Sequence, residues 1–398
     1  MPGMEVFGDE ERREVMEVLE TGILFRYGHD DLRKGRWKAR ELEDAVRRYT
    51  GAGHALAVSS GSTAVACALA AAGIGHGHEV IVPPFTYLAT IEAVLLAGGL
   101  PVFAEIDDTL CLSAEGIRAA LTPETKAVLL VHMCGAAADM DPILQLCRER
   151  DLVLVEDAGQ ALGAWYRGTS VGLFGATGAY SFDFFKITTA GEGGVFVTND
   201  ETRYRLADSY ADHGHDHVGA NRGMENHPIL GFNYRISELH AAVGLAQMRK
   251  LESTRAAKRA NKSVLRERVA DLPGLGFRRM PDPEGDSGTF LNLLLPSREA
   301  AGAAVEALRE EGVPGVNYWF VNMYHFINQW HHIRDLDAAA PLAIHHIGAP
   351  QDYRALELPV SQDVIGRLIS LGVGCAWDAD RTERVADGLR AALARVLA

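Results

Sequence analysis

Positive charge, cysteine and long apolar runs are scarce in this 398-residue sequence. With 39 Lys and Arg against 53 Asp and Glu, the formal net charge is -14. That balance excludes broad binding to nucleic acid or anionic membrane, which requires a positive field. A local basic pocket for a phosphate or carboxylate stays compatible with it. The five cysteines, Cys67, Cys111, Cys134, Cys147 and Cys375, are odd in number, scattered and never in a C-x-x-C pair. They supply neither a disulfide framework nor a zinc ribbon, and they suit a reducing cytosol. No uninterrupted apolar stretch is long enough to span a bilayer. The opening MPGMEVFGDEERREV lacks the basic start and apolar core of a signal peptide. The expectation is a cytoplasmic protein, without an internal repeat or a low-complexity linker.

Hydrophobic residues make up 47% and charged residues 23%, the composition of a chain that folds. The length suits a large domain, placed at residues 1–250, and a smaller one at 251–398. Residues 8–20 and 39–49 have amphipathic helical spacing. From residue 53 short apolar runs alternate with helices: HALAVSS into TAVACALAAAG, EVIVPP into a helix over 87–99, then LPVFAEID and a helix after Ser113. KAVLLVHM, the helix DPILQLCRER and LVLVEDA continue the pattern. Such alternation of strands and helices predicts a mainly parallel α/β sheet covered on both faces. In these sheets ligands bind beyond the carboxyl ends of the strands, where SSGS, PPFT and EDAGQ fall. The spacing predicts a long connecting helix over 236–269. After it, TFLNLLLP, a helix from Arg298 and a terminal helix over 382–397 outline a small α+β domain. The aromatic, His-rich stretch 317–333 follows no period and reads as an irregular segment lining a cavity or a subunit contact.

Three strand ends carry candidate chemistry. At Ser59-Ser60-Gly61-Ser62-Thr63 a turn of small residues opens a helix, offering backbone N–H groups and the positive dipole end to a phosphate. Ser and Thr also cap helices with no ligand at all. At Glu156-Asp157 a buried strand ends in carboxylates, with Gln160 behind. A carboxylate there requires a cation or donor, which a protonated pyridine nitrogen would supply. A helix cap or a metal ligand is the competing reading. In the third segment, Gly178 to Gly194, Lys186 follows a strand and precedes the glycines of GEGG. Burial there would lower the lysine's pKa and suit it to amine chemistry on a carbonyl.

The order S-S-G-S-T, E-D-A-x-Q, S-F-D-x-x-K-x-x-x-x-G-E-G-G and G-F-N-Y-R-I-S-E resembles the DegT/DnrJ/EryC1/StrS family of pyridoxal-phosphate-dependent sugar aminotransferases, over nearly the whole chain. The resemblance implies the aspartate-aminotransferase-like fold (PLP fold type I), with a mainly parallel seven-stranded sheet and a smaller α+β C-terminal domain. It implies pyridoxal 5'-phosphate as cofactor, with Lys186 as the lysine that carries it and moves the proton. Asp157 becomes the pyridinium partner and Gln160 the neighbour of the ring's phenolic oxygen. Gly61, Ser62 and Ser181 become phosphate ligands, and Phe85 the ring stacked on the pyridine face. Asn233 resembles the residue that reaches the phosphate from a neighbouring subunit, implying a homodimer with shared active sites. Asp183 stands where many members have histidine. Dehydratases of the family replace the lysine by histidine, so Lys186 favours amino transfer.

Four further stretches, FRYGHDDLRKGRWKARELE, LVHMCG, DHGHDHVGANRGMENHPILGFNYRISE and PDPEGDS, resemble the branch that aminates the C8 aldehyde of a 3-deoxy-octulosonate. The implied activity moves an amino group from glutamate or glutamine to the aldehyde or ketone of a sugar or nucleotide sugar, with an eight-carbon sugar as the narrower reading. An amino-sugar or antibiotic pathway would use such a product. The alternatives are a deaminase or eliminase acting on an amino sugar, and a non-catalytic regulator of the same fold. His213, His215 and His217 crowd one segment without a second ligand set at metal spacing, so no metal is expected. Arg26, Arg36 and Arg222 are candidates for holding a carboxylate or phosphate, with solvated surface arginine the competing reading. His325 is a candidate for facing the sugar.

Overall fold

Each short apolar run becomes a strand because its side chains are buried on both faces, and each intervening run a helix covering one of those faces. The computed structural model describes residues 3–219 and 221–398. Met1 and Pro2, which open the segment read for a leader, and Ala220, inside the DHGHDHVGAN stretch, lie outside them. Helices α1 (Asp9–Thr21) and α2 (Lys38–Thr50) precede β1 (His54–Val58), α3 (Gly61–Ala71) and β2 (Glu79–Val82). Next come α4 (Ala89–Leu96), β3 (Leu100–Phe103), α5 (Ala114–Ala120), β4 (Thr125–Val131), α6 (Met140–Glu149) and β5 (Val153–Asp157). A small hairpin, β6 (Trp165–Tyr166) with β7 (Thr169–Ser170), leads to β8 (Thr177–Ser181), β9 (Gly194–Thr198), α7 (Glu201–Tyr210) and α8 (Glu238–Val269).

Seven strands form one sheet in the order β1-β9-β8-β5-β4-β2-β3. Six run in the same direction and β9 runs against them, so the sheet is mainly parallel, as the resemblance implies. The consequence is positional: Ser59, Pro83, His132, Ala158 and Phe182 all leave the sheet at one edge. Helix boundaries follow local chemistry. The helix at 87–99 is shorter than its apolar spacing predicts, because Gly98 takes a left-handed φ of 83°. The terminal helix starts before residue 382, because the Asp378 carboxylate accepts the Arg381 N–H at 2.8 Å. Helix α7, which shows no strong apolar period, is held by Asp200 accepting from the N–H groups of Thr202 and Arg203.

Beyond α8 come β10 (Gly276–Phe277), β11 (Phe290–Leu294), α9 (Arg298–Glu310) and β12 (Val316–Tyr318). Two short helices, α10 (His331–Arg334) and α11 (Ala343–Ile347), precede α12 (Pro359–Arg367), β13 (Leu368–Gly372) and α13 (Ala379–Leu397). The second sheet, β10-β11-β13-β12, is wholly antiparallel. It buries Leu291, Leu293 and Leu371 against Ala304 and Leu308 of α9 and Leu389 and Leu393 of α13. Helix α8 joins the two cores: Leu245, Met248 and Leu251 belong to the first, Leu265 and Val269 to the second. The residue 250/251 boundary therefore falls inside one continuous helix.

Residues 319–353 return to the first core, where Phe320, Phe326, Trp330, Ile344 and Tyr353 are buried. Tyr353 donates its hydroxyl to the Pro101 carbonyl at 2.5 Å, and Gln351 bonds both backbone groups of Phe103. This excursion brings the aromatic stretch to the edge where the strands end. Among the described residues no helix is long and apolar enough to cross a membrane.

Candidate active site

A cavity of about 680 Å³ opens at that edge, lined by the ends of β1, β4, β5 and β8 on one side and by residues 289–325 on the other. Gly61, Ser62, Asp157, Gln160, Ser181, Lys186 and His325 all reach it.

Its deepest part is built by close backbone approach. Ser60 caps α3, its hydroxyl accepting the Thr63 N–H at 3.1 Å, so Gly61 and Ser62 form the first turn. The N–H groups of a first turn have no carbonyl partner within the helix. A Cβ at Gly61 would lie 2.7 Å from Ser181 Oγ, and one at Gly194 only 2.2 Å from the Ser60 carbonyl. Glycine at both places lets the helix start, β8 and β9 converge. Two serine hydroxyls and the positive end of α3 meet there, a donor set that fits a phosphate dianion.

Asp157 ends β5. Its two carboxylate oxygens accept from the Thr90 hydroxyl at 2.8 Å and from the Gly159 N–H at 2.9 Å. Next to it, Glu156 points to the other face. There it accepts from the N–H groups of Gly172, Phe174 and Gly175 at 2.6 to 2.7 Å and meets His132 at 2.9 Å. That fully satisfied buried carboxylate fixes the strand end that presents Asp157. Gln160 Oε1 accepts the Cys134 N–H at 3.2 Å, leaving its amide N–H groups to donate.

Lys186 sits in the turn after β8, its N–H donating to the Asp183 carbonyl at 3.0 Å. Removal from water lowers its pKa below the usual lysine value, while the carboxylates of Asp183 and Asp157 act in the opposite direction. The net direction favours a neutral, nucleophilic amine. Lys186 is the only Lys or Arg among the lining residues; Asp157, Asp183 and Glu192 are the acids. Its Nζ lies 6.0 Å from the Tyr87 ring centre.

The structure leaves several candidates outside this cavity. Phe85, the ring assigned to the pyridine face, is fully buried behind it, 5.8 Å from the Trp319 ring. Tyr87 lines the cavity in its place, because the chain bends at Pro84 and Thr86 while Phe85 is paired with Phe326. Arg26 is buried and bonds the Ala57 carbonyl at 2.6 Å and Glu43 at 2.7 Å, tying α2 to β1. Arg36 pairs with Glu20 at 2.8 Å. Arg222 grips both oxygens of Asp212 at 2.6 Å, alongside Arg235 and His217. Each arginine has an acid or carbonyl partner that sequence spacing does not reveal. Asn233 is exposed and bridges to Asp212.

His213, His215 and His217 separate in role. His217 lies between Asp208 and Asp212 at 2.9 and 3.0 Å, and His215 meets Glu225 at 2.8 Å. Against burial, the two carboxylates push the His217 pKa up to about 9. Tyr27 packs against His217 with the ring centres 4.5 Å apart and the planes tilted by 53°, and Arg222 lies over Phe25 and Tyr27. The FRYG and DHGHDH stretches, more than 180 residues apart in the chain, thus form one surface. None of Thr90, Trp319, Asn322 and Glu192 is singled out by the sequence, although Trp319 and Asn322 fall in the 317–333 stretch read as cavity lining and Glu192 in the GEGG run.

A turn of serine hydroxyls and free N–H groups, a carboxylate and an amine of lowered pKa around one cavity, on this sheet order, fit a pyridoxal-phosphate-dependent aminotransferase of fold type I. Residues 7–390 match the DegT/DnrJ/EryC1/StrS aminotransferase family, and the chain belongs to it. The chain is similar to GDP-perosamine synthase of Caulobacter vibrioides, 41% identical over 62% of this chain and 64% of that protein. It is similar to L-glutamine:2-deoxy-scyllo-inosose aminotransferase of Streptomyces kanamyceticus, 35% identical over 70% of each. Among solved structures, the aminotransferase from Psychrobacter cryohalolentis superposes with a TM-score of 0.85 at 26% identity, covering 98% of both chains.

Proposed function

We propose that this enzyme transfers the amino group of glutamate or glutamine to the aldehyde or ketone of a sugar, in amino-sugar or antibiotic biosynthesis, with an eight-carbon sugar as the first acceptor to try. The observation that carries the reading is the gathering of Lys186, Asp157 and the α3 turn around one cavity whose other wall is aromatic and amide-rich. That second wall, with Asn317, Asn322, Trp319 and Tyr324, suits a polyhydroxylated molecule.

Gly61, Ser62 and Ser181 would hold the cofactor's phosphate, Gln160 the ring's phenolic oxygen and Asp157 its protonated nitrogen, with Tyr87 taking the ring-face role instead of Phe85. When bound, the cofactor supplies the electron sink and carries the amino group between two half-reactions. Lys186 would hold the cofactor and, as the free amine, move the proton at the substrate carbon. In the second half the same amine moves a proton in the reverse sense, so ping-pong kinetics follow.

We read the protein as a cytoplasmic homodimer. The surface built from Phe25, Tyr27, Arg222, Asn233 and Arg235 would face the partner's cavity, where arginines would meet the donor's carboxylate. Supporting this, the cavity's own lining offers no cation except Lys186. Two of the four stretches behind the narrower octulosonate reading, those beginning at Phe25 and Asp212, form this surface.

Donor and acceptor can be tested together. Purified protein with pyridoxal phosphate is offered glutamate or glutamine and a panel of aldehydo- and keto-sugars that includes eight-carbon acids. An amino sugar formed in equal amount with a 2-oxo acid supports the reading. Ammonia release from an amino sugar without a 2-oxo acid from the donor replaces it with elimination.

A further inference from the structure

One nitrogen facing the cavity has a fixed role that the transfer chemistry leaves unused. His325 Nδ1 lies 2.9 Å from Asn322 Oδ1. That same atom of Asn322 accepts the Tyr324 N–H at 2.9 Å, so it is the amide oxygen and not the nitrogen. Two acceptors do not bond, so Nδ1 carries the ring's hydrogen and Nε2 is the bare nitrogen. Nε2 has no hydrogen-bond partner among the described residues.

The ring is held from several sides. Trp319 meets it edge-on at 4.7 Å, with Trp319 itself pinned by a 2.6 Å bond to Ser370 Oγ. Tyr87 lies 5.6 Å away. The backbone is zipped to the opposite wall: Thr86 N–H donates to the His325 carbonyl and Leu88 N–H to that of Tyr324, each at 3.0 Å. Tyr87 thus has the His325 ring and the Lys186 amine as neighbours. Burial above all, with Lys186 acting in the same direction whenever its amine is charged, pushes the His325 pKa down to about 3, so the ring stays neutral at working pH. It is a standing hydrogen-bond acceptor, not an acid.

We propose that His325 is a specificity-determining residue whose Nε2 accepts a hydrogen bond from a hydroxyl of the carbonyl acceptor close to the reacting carbon, so that the site selects hydroxylated over deoxygenated carbonyls. This deepens the proposed transfer to sugars and rests on it for the identity of the ligand. The rigid frame matters because a preorganised acceptor that meets no donor leaves a costly unpaired group when the site closes.

The test uses two ketones of the same ring size, scyllo-inosose and cyclohexanone, with His325→Phe and His325→Gln. Phenylalanine keeps the aromatic contacts and removes the acceptor. Expected is a loss of about ten- to a hundredfold in kcat/KM on scyllo-inosose, a much smaller loss on cyclohexanone, and partial recovery in His325→Gln, whose amide oxygen can accept. Equal losses on both ketones would reduce His325 to a packing residue and overturn the proposal. Binding is read separately, without turnover, on holoenzyme with ¹⁵N-labelled histidine. The His325 signals should show the Nδ1–H tautomer, and the Nε2 resonance should move on adding scyllo-inosose but not cyclohexanone. An Nε2 resonance that carries the hydrogen, or that ignores scyllo-inosose, overturns the proposal. If Nε2 responds but no amino group is transferred to any carbonyl, the hydroxyl subsite stands and the transfer reading fails.

Discussion

The two walls of the cavity are made in different ways. The cofactor wall is made of strand ends and one helix start, positions that a parallel sheet forces to one edge. The opposite wall comes from an irregular excursion, residues 319–327, tied to residues 84–88 by three backbone hydrogen bonds. Regular structure thus places the groups any such enzyme needs, and a loop on a rigid scaffold supplies those that select a substrate.

The largest expected contrast is between Lys186 and everything else on the cofactor wall. Lys186→Ala should cut amino transfer by about 10⁴-fold, read as 2-oxo acid formed, because among the described residues no other amine lines the cavity. A variant within tenfold of the wild type would erase the distinction between this residue and its surroundings.

Phe85 and Tyr87 sharpen the comparison, being two residues apart yet on different sides of the wall. Phe85→Ala empties a fully buried site and should cost about 3–5 kcal/mol of stability by chemical denaturation. Tyr87→Ala should leave stability within about 0.5 kcal/mol and instead weaken retention of pyridoxal phosphate in dialysis. Reversed outcomes would return the ring-face role to Phe85.

Thr90→Val tests the support beneath Asp157. Losing the 2.8 Å hydrogen bond should lower kcat about fivefold, the size of one ordinary hydrogen bond, with little change in acceptor KM. A rise in KM alone would move Thr90 to the substrate wall.

The smallest effect concerns the surface outside the cavity. His217 has a folded pKa raised from 6.5 to about 9, so its contribution is fully present below about pH 6.5 and is lost as pH rises through 9. Tm of the wild type should fall across that window, and the fall should be smaller in His217→Gln. Parallel curves would show that the Asp208-His217-Asp212 link does not hold the loop.

What was legible in the sequence follows the same division. Gly61, Ser62, Asp157, Gln160, Ser181 and Lys186 could be placed because each follows a recognisable strand, and strand direction then decides the edge. The doublet Phe85 and Tyr87 shows the limit: both lie in PPFTY, and only the pairing of Phe85 with Phe326, 241 residues later, decides which ring is left facing the cavity. Arg26, Arg36 and Arg222 lie outside their own chain's cavity because their partners, Glu43, Glu20 and Asp212, are set by tertiary packing. His325 reached the cavity, yet its tautomer depends on Asn322 and Tyr324, which no periodicity marks.

The central claim is that Lys186 holds pyridoxal phosphate and gives it up to an amino donor. Its most direct test is the visible spectrum of the protein incubated with pyridoxal phosphate, before and after glutamate and then glutamine. The prediction is a lysine-bound cofactor band that one donor bleaches with release of its 2-oxo acid and that is missing in Lys186→Ala. A wild type that forms no such band, or a band that survives unchanged in Lys186→Ala, would contradict it.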